Sequence, residues 1–505
     1  MTNRTKTVSK TLYDYQEEDL KKIFDCFHNR PDNYNLLYQL PTGGGKTVIF
    51  SEIVRRYITE TQKKVVVLTH RIELSKQTSR MLTEFNVVNK VINSEVKELE
   101  DQDDYMCFVA MVETLNNRLQ EDKLEIKDIG LVIVDEAHYN SFRKLFKYFE
   151  NSFILGVTAT PLSSNIKLPM KDNYAELIVG ETIPSLIEKK FLAKANIYCY
   201  DVGLKSLKIG VSGDYTVKSS EELFTNVMMQ GKLLGAYQEM SLGKKTLIFN
   251  NGINTSKYVH ALFSNAGYDI KHLDNTLNKT ERKNVLEWFK ETPNAILTSV
   301  SILTTGFDEP TVESIILNRA TKSLTLYFQM IGRGSRILPN KDEFAVIDLG
   351  NNVARFGMWN DPVDWDKAFK FPNYYYDNLI SDEEIERNFV YEMPQELSKL
   401  FSKSETTSFN IKETYKEVVS QGFKSKKTLE LSVEQHAQMC VENSEDIFDA
   451  RILAKELKEE ISYRVRLYSY CIMNNTDNYK EWLEEDYMRN LRSKISQLSA
   501  VVHQA

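Results

Sequence analysis

Residues 36–47, Leu36-Leu37-Tyr38-Gln39-Leu40-Pro41-Thr42-Gly43-Gly44-Gly45-Lys46-Thr47, join an apolar strand to a glycine run that ends in a lysine and a hydroxyl. Glycines let backbone N–H groups close on phosphate oxygens, and a helix opening at that point adds partial positive charge. Thr42, Gly43, Gly44 and Gly45 form such a cradle. Lys46 would reach the terminal phosphates, and the Thr47 hydroxyl would hold Mg²⁺. The usual pattern opens on glycine where this chain has Leu40, so the signal rests on the Gly-Lys-Thr core. Farther along, Leu131-Val132-Ile133-Val134 runs into Asp135-Glu136-Ala137-His138. An apolar strand followed by two carboxylates puts them at a strand's C-terminal end, where open parallel sheets bind ligands. Asp135 suits the shell of Mg²⁺, and Glu136 suits the polarising of an attacking water. Alone, such an acidic strand end is as often an ordinary turn; the phosphate loop upstream decides between the two.

A third run, Gln329-Met330-Ile331-Gly332-Arg333-Gly334-Ser335-Arg336, follows a helical stretch. Arginines three apart on a helical turn can point the same way. Transfer of a phosphoryl group needs positive charge where negative charge spreads, and the first segment has no arginine near its phosphate loop. Arg333 and Arg336 are therefore expected to reach across from a second lobe. The plain alternative is a pair of solvated arginines in a glycine-rich turn.

These residues need a scaffold. Short apolar runs at 65–68, 107–110, 131–134 and 153–157 alternate with amphipathic stretches such as 48–60 and 71–85, which predicts parallel sheet with helices on both faces. A second series starts near Lys244, with strands at 246–249, 295–298, 314–317 and 344–348. Residues 193–240 are poorer in pattern and read as a connection and the start of the second lobe. After about Gly357 an aromatic cluster leads into charged helical sequence, without proline from Val433 onward. The expected division is 1–192, 193–240, 241–356 and 357–505.

Composition excludes several classes. At ~150 residues per domain, 505 residues imply about three. With 42% hydrophobic and 27% charged residues the chain is globular, and its net charge of −7 argues against a protein coated in positive charge. No apolar run approaches a membrane span, and the start Met1-Thr2-Asn3-Arg4 lacks a signal peptide's apolar core. Five scattered cysteines, with no C-x-x-C pair, suit a reducing cytosol, so a cytoplasmic location is expected.

Taken together, the motifs resemble the superfamily 2 helicases and translocases in DEAH form, in the family's order. Leu12 to Gln16 is similar to the Q motif, 41–47 to motif I, 68–77 to motif Ia, 135–138 to motif II, 158–161 to motif III, 246–256 to motif IV, 304–308 to motif V and 329–336 to motif VI. Residues 302–310 and 327–336 look most like the RadD branch, near XPB, UvsW and restriction-enzyme motors. Only Cys440 and Cys471 follow motif VI, so that branch's zinc module is not carried over, and Tyr13 stands where the Q motif usually has arginine.

The resemblance implies two tandem RecA-like parallel-sheet domains, followed here by a mainly helical region. It implies ATP and Mg²⁺, and an ATP-driven motor on nucleic acid, DNA before RNA. Tyr15 and Gln16 would read the adenine side, Gly306 and Asp308 the nucleotide from motif V, and Gln329 would join Glu136, Arg333 and Arg336 in catalysis. Backbone-gripping contacts to nucleic acid would come from His70, Arg71, Thr114, Asn251, Gly252, Thr298 and Ser299. The helical tail is the expected seat of a protein partner. The alternatives are the motor subunit of a restriction or phage-defence complex, although no paired-acid-plus-lysine nuclease pattern follows residue 356, and a non-motor nucleic-acid-binding module.

Overall fold

The computed structural model describes residues 12–502 apart from 94, 97–98, 100, 122–125, 166, 301–302, 304–306 and 474–475. Gly306 of the expected site thus lies outside the described residues. The chain divides into two compact units, one comprising residues 1–200 and 206–381, the other 201–205 and 382–505.

The larger unit is organised by two all-parallel sheets. β1 (Asn35–Gln39), β2 (Lys64–Thr69), β3 (Asn89–Ile92), β4 (Cys107–Met111), β5 (Ile129–Asp135), β6 (Phe153–Thr158) and β7 (Glu176–Val179) form the first, in the order 3-4-2-5-6-1-7. β8 (Lys194–Cys199), β9 (Thr246–Asn250), β10 (Ile270–Leu273), β11 (Ile296–Ser299), β12 (Ser314–Asn318) and β13 (Glu343–Asp348) form the second, in the order 10-11-9-12-13-8. Interior strands such as β2 and β9 are buried along their whole length, as strands covered on both faces must be. Helices Lys46–Thr61, Ile72–Glu84 and Val112–Gln120 follow β1, β2 and β4. Their N-termini therefore gather at the edge where the strands end, and positive helix ends face the same side as the carboxylates after β5. The expected α/β class is the observed one.

One detail agrees with the expected division and one refines it. β8 pairs with β13 along Lys194–Cys199, so the connecting stretch begins as an edge strand of the second sheet. The larger unit also continues to Ser381, beyond the boundary expected at 357. The reason is burial: Trp359, Trp365 and Ala368 belong to the same apolar core as β9 and β12, and Phe369 packs with the core under β5.

The smaller unit is helical. Its core draws on Ile411, Leu429, Val433, Ala437, Leu457, Val465, Leu483, Leu491 and Ile495 from successive helices. Within it Arg464, 1% exposed, donates to Ser432 Oγ (3.0 Å), Gln435 Oε1 (2.7 Å) and the Glu460 carboxylate. The Tyr487 hydroxyl meets His436 Nδ1 at 2.9 Å. A charge this deep is tolerated because its donors are used. Among the described residues, no helix is long and apolar enough to cross a membrane.

Candidate active site

β1 delivers Leu40 and Pro41 to the edge of the first sheet, where the glycine run turns back into the helix Lys46–Thr61. Gly43 and Gly45 take φ of +93° and +89°, the left-handed region that other residues avoid. Space is as restrictive as conformation. A Cβ on Gly45 would lie 2.6 Å from Gln16 Nε2, and one on Gly43 would lie 2.6 Å from Leu192 and 2.9 Å from Ser335 Oγ. Tyr15 and Gln16 are fixed to the loop: the Tyr15 hydroxyl donates to the Gly44 carbonyl at 2.7 Å, and Gln16 Nε2 donates to the same oxygen at 3.4 Å. No side chain caps the helix that starts at Lys46. Its first N–H groups therefore remain for an anion, which together with the glycine cradle fits the phosphates of ATP.

Lys46 Nζ lies 3.4 Å from the Leu40 carbonyl. Burial pushes its ammonium down, against the pull of Glu136 and Asp135. Those carboxylates stand where β5 ends, and they differ. Asp135 is pushed up to about 7 by burial and then by the Glu136 charge, while its Oδ1 accepts the Glu136 N–H at 3.0 Å. For Glu136, burial acts upward, but Lys46, His138, His70 and Arg333 outweigh it and hold the carboxyl below its usual range. Glu136 also sits at φ +53°, a strain of about 1–3 kcal/mol for a residue with a side chain. Asp135 with the Thr47 hydroxyl makes a hard, all-oxygen donor pair. It fits Mg²⁺, which takes few protein oxygens and keeps waters and phosphate for the rest. No cluster of three or more His, Cys, Asp and Glu able to hold a metal occurs among the described residues.

The second lobe meets this loop directly. A Cβ on Gly332 would lie 2.7 Å from Thr42, and Arg336 Nη1 comes within 3.2 Å of the Cβ position of Gly43. Burial, then repulsion from Arg336, pushes Arg333 down to about 10, and its guanidinium donates to the Phe307 carbonyl. Arg336 Nε donates to Asp308 Oδ1 at 2.8 Å. Gln329 is buried, with its Nε2 lacking a hydrogen-bond partner. Glu136, Lys46, Arg333, Arg336 and Asp308 thus converge on one cleft. Sequence reasoning missed three supports. Lys341 holds the finger turn through the carbonyls of Gly334 (2.7 Å) and Arg336, and that of Pro310 (3.1 Å). Thr160 Oγ1 donates to Thr325 Oγ1 at 2.8 Å, tying the lobes. Phe191 packs on Tyr13 at 4.2 Å and on Tyr15 at 5.3 Å. Thr160 lies in the run read as motif III, but its partner could not be read, and Lys341 and Phe191 have no local sequence signal, because each acts through partners far away in the chain.

The residues expected at nucleic acid are placed unequally. Arg71 opens the helix Ile72–Glu84, and Thr114 is half-buried on Val112–Gln120. His70 packs against Tyr139 beside Glu136. Asn251 Nδ2 donates to Ser220 Oγ at 2.6 Å, and Gly252 is crowded by Glu221, whose Oε1 would lie 2.3 Å from a Cβ there. Thr298 and Ser299 are fully buried. The Ser299 hydroxyl donates inside the lobe to the Leu273 and Val300 carbonyls. Thr298 belongs to a polar seam across the strand ends: Asn318 to Asn250 (2.8 Å), Asn250 to Thr298 (2.9 Å), Thr298 to Ser256 (3.0 Å), Ser256 to His272 (2.8 Å) and His272 to Asp274 (2.9 Å). Its last members are in the order of a nucleophilic triad, but Ser256 is wholly enclosed, so the seam braces the lobe.

Residues 9–163 match the family model of the type III restriction enzyme res subunit, and residues 228–338 match the helicase conserved C-terminal domain. The chain carries the paired domains of a superfamily 2 helicase. A Saccharomyces cerevisiae protein named as an ATP-dependent helicase, IRC3, is 30% identical over 71% of this chain and 55% of its own length, so the chain spans about half of that relative. A 51.5 kDa protein of a Lactococcus phage is 28% identical over 66% of this chain and 70% of its own. The type I restriction enzyme EcoAI endonuclease subunit of Escherichia coli is 23% identical over 64% and 44%. Among solved structures, a fragment assigned to the HsdR subunit of a type I restriction enzyme from Vibrio vulnificus shares the fold at a TM-score of 0.54, with 20% identity over 70% of this chain and 68% of that one. The type ISP restriction–modification enzyme LlaBIII shares it at 0.52, with 14% identity over 98% of this chain and 42% of that one.

Proposed function

We propose that the protein is an ATP-driven motor on nucleic acid, acting on DNA before RNA. The observation that carries this reading is the meeting of Gly332, Ser335 and Arg336 with the Thr42–Gly43 turn, which puts Arg336 of one lobe beside the phosphate loop of the other, with the Arg333 charge also acting on Lys46. Their charge stabilises phosphoryl transfer only while the lobes are closed. Lys46 and the backbone amides of the loop hold the phosphates. Asp135 and Thr47 would hold Mg²⁺, which would supply positive charge against the phosphates. Glu136, held ionised by Lys46, accepts the proton of the attacking water, and Arg333 and Arg336 stabilise the charge that spreads on the phosphoryl oxygens. ATP turnover measured against single-stranded, duplex and forked DNA and against RNA, at one fixed salt concentration, tests the reading. Stimulation by DNA supports it, and turnover indifferent to every nucleic acid removes it.

The second reading, a motor subunit of a restriction or phage-defence complex, is favoured by the res-subunit match over the first lobe. In that reading the helical unit takes the protein partner. The RadD-like branch and a role in repair belong to the first reading and rest on residues 302–310 and 327–336, and the cytoplasmic setting rests on the scattered cysteines. Co-purification with methyltransferase or specificity subunits would select the second.

A further inference from the structure

Tyr139 packs against two imidazole rings beside the acidic box, His138 at 4.3 Å and His70 at 4.2 Å between centroids. The histidines use their nitrogens differently. His138 Nδ1 meets the Thr158 hydroxyl at 3.1 Å and Glu136 Oε2 at 3.4 Å. At His70 both ring nitrogens are shielded from solvent, and neither has a hydrogen-bond partner. Burial pushes this imidazole down to about 4, so it is neutral at physiological pH, with one N–H donor and one acceptor. A shielded polar group left unpaired costs about 1–3 kcal/mol. A phenylalanine would fill the place of the ring without that cost, so packing alone does not account for a histidine.

Glu136 has the complementary defect. Its Oε2 is shielded and without a hydrogen-bond partner, its backbone is strained, and its charge and the His70 ring act on each other. A donor without an acceptor therefore lies near an acceptor whose 3.4 Å contact with His138 Nδ1 is an ion-pair distance and not a hydrogen bond. On the other side His70 adjoins Arg71, which opens the helix after β2 and is the expected contact for a nucleic-acid backbone.

We propose that His70 is a positioning residue that couples nucleic acid to hydrolysis: when a strand engages the Arg71 side, the His70 ring N–H pairs with the Glu136 carboxylate and holds it toward the attacking water. This rests on the motor reading and names its regulation. No proton is transferred to or from His70. It supplies one hydrogen bond, and Glu136 remains the group that takes the proton from water.

Two substitutions separate the hydrogen bond from the ring. His70→Phe keeps a ring against Tyr139 and removes the N–H. His70→Asn removes the ring and keeps an N–H donor. On the full chain, ATP turnover is measured with and without saturating single-stranded DNA at fixed salt, together with KM for ATP, Kd for the DNA and Tm. In His70→Phe, kcat with DNA falls at least ~10-fold, toward the ~10²-fold that a misplaced catalytic group costs. KM and Kd stay near wild type, and Tm does not fall, since the unpaired ring nitrogens are gone. His70→Asn retains more stimulation than His70→Phe despite a lower Tm. Stimulation that follows ring packing instead, with Phe above Asn, overturns the proposal. So does weakened DNA binding in His70→Phe, which would make His70 a strand contact. If wild-type turnover responds to neither DNA nor RNA, the motor reading fails and this inference falls with it; if wild type and His70→Phe are stimulated alike, only this inference fails.

Discussion

The two parallel sheets end in equally polar rims, and the rims are built for opposite purposes. At the first sheet, Glu136 and His70 sit shielded with hydrogen-bonding capacity unspent, Glu136 on strained backbone. At the second, Asn250, Thr298, Ser256, His272 and Asp274 satisfy one another in a chain that crosses three strands. Residue type does not separate the two rims, since asparagine, threonine, serine and histidine suit either. What separates them is how far the polar groups are already paired: of the seam's side chains only Asn318, at its Oδ1, is left short of a partner. An unpaired, shielded rim stores a cost that a ligand can relieve, whereas a paired rim stabilises and offers little.

Substitutions should therefore divide into losses of rate at the first rim and losses of stability at the second. Lys46→Ala has the largest expected effect: hydrolysis of ATP is abolished and most nucleotide binding is lost, with Tm unchanged. ATP turnover near the wild-type rate would remove this loop from the site. Arg336→Ala, on the finger that closes on the first rim, lowers turnover by ~10³-fold or more and removes stimulation by DNA, while sparing nucleotide affinity. Arg336→Lys does not restore it, because a point charge cannot copy a planar fork; preserved stimulation in either variant would take the arginine out of the cleft. Glu136→Gln binds ATP and Mg²⁺ but turns over ~10²-fold more slowly, and single-turnover kinetics would show a slow chemical step rather than slow binding.

At the second rim, Thr298→Val lowers Tm by the equivalent of about 1–3 kcal/mol, since it leaves Asn250 and Ser256 short of a partner, and keeps DNA affinity at fixed salt. Weakened binding at unchanged Tm would make Thr298 a direct contact and dissolve the contrast. The smallest effect is a pH dependence. Burial acts to raise the Asp274 carboxyl, but hydrogen bonds from Thr276 and His272 win and hold it at about 2, below its unfolded value near 3.8. A depressed carboxyl contributes stability above its unfolded pKa and loses it as pH falls through the folded one. The wild-type advantage over Asp274→Asn, about 2 kcal/mol at neutral pH, should then shrink between pH 4 and pH 2 in urea titrations.

The same contrast sets what could be read from the sequence. Interior strands announce themselves as continuous apolar runs, and β1, β2, β4, β5 and β6, then β9, β11, β12 and β13, were all legible that way. β3, β7, β8 and β10 were not. They are the four sheet edges, three of them four residues long, with polar residues mixed in because only part of each is covered. In the cleft, Lys46, Asp135, Glu136 and the arginines were legible because each lies in a dense local run. Thr298 and Ser299 were read as ligand contacts because a hydroxyl at a strand end carries no mark of its partner. His70 was legible as a motif position but not as a neighbour of Glu136, since β2 and β5 lie far apart in the chain and meet only by pairing.

Those four edges have a consequence for how the chain behaves before it has finished folding. Parallel sheets form slowly, because every pairing closes a long loop, and an unpaired strand edge is a template on which another copy can add a strand. Each edge here carries a charge within its few residues: Lys90 on β3, Glu176 on β7, Lys194 on β8 and Lys271 on β10. A second chain aligning on such an edge would have to bury that charge against its own backbone, a penalty that the short register cannot recover. The features that hid these strands from a hydrophobic reading are therefore the ones that guard a slow-folding chain against aggregation.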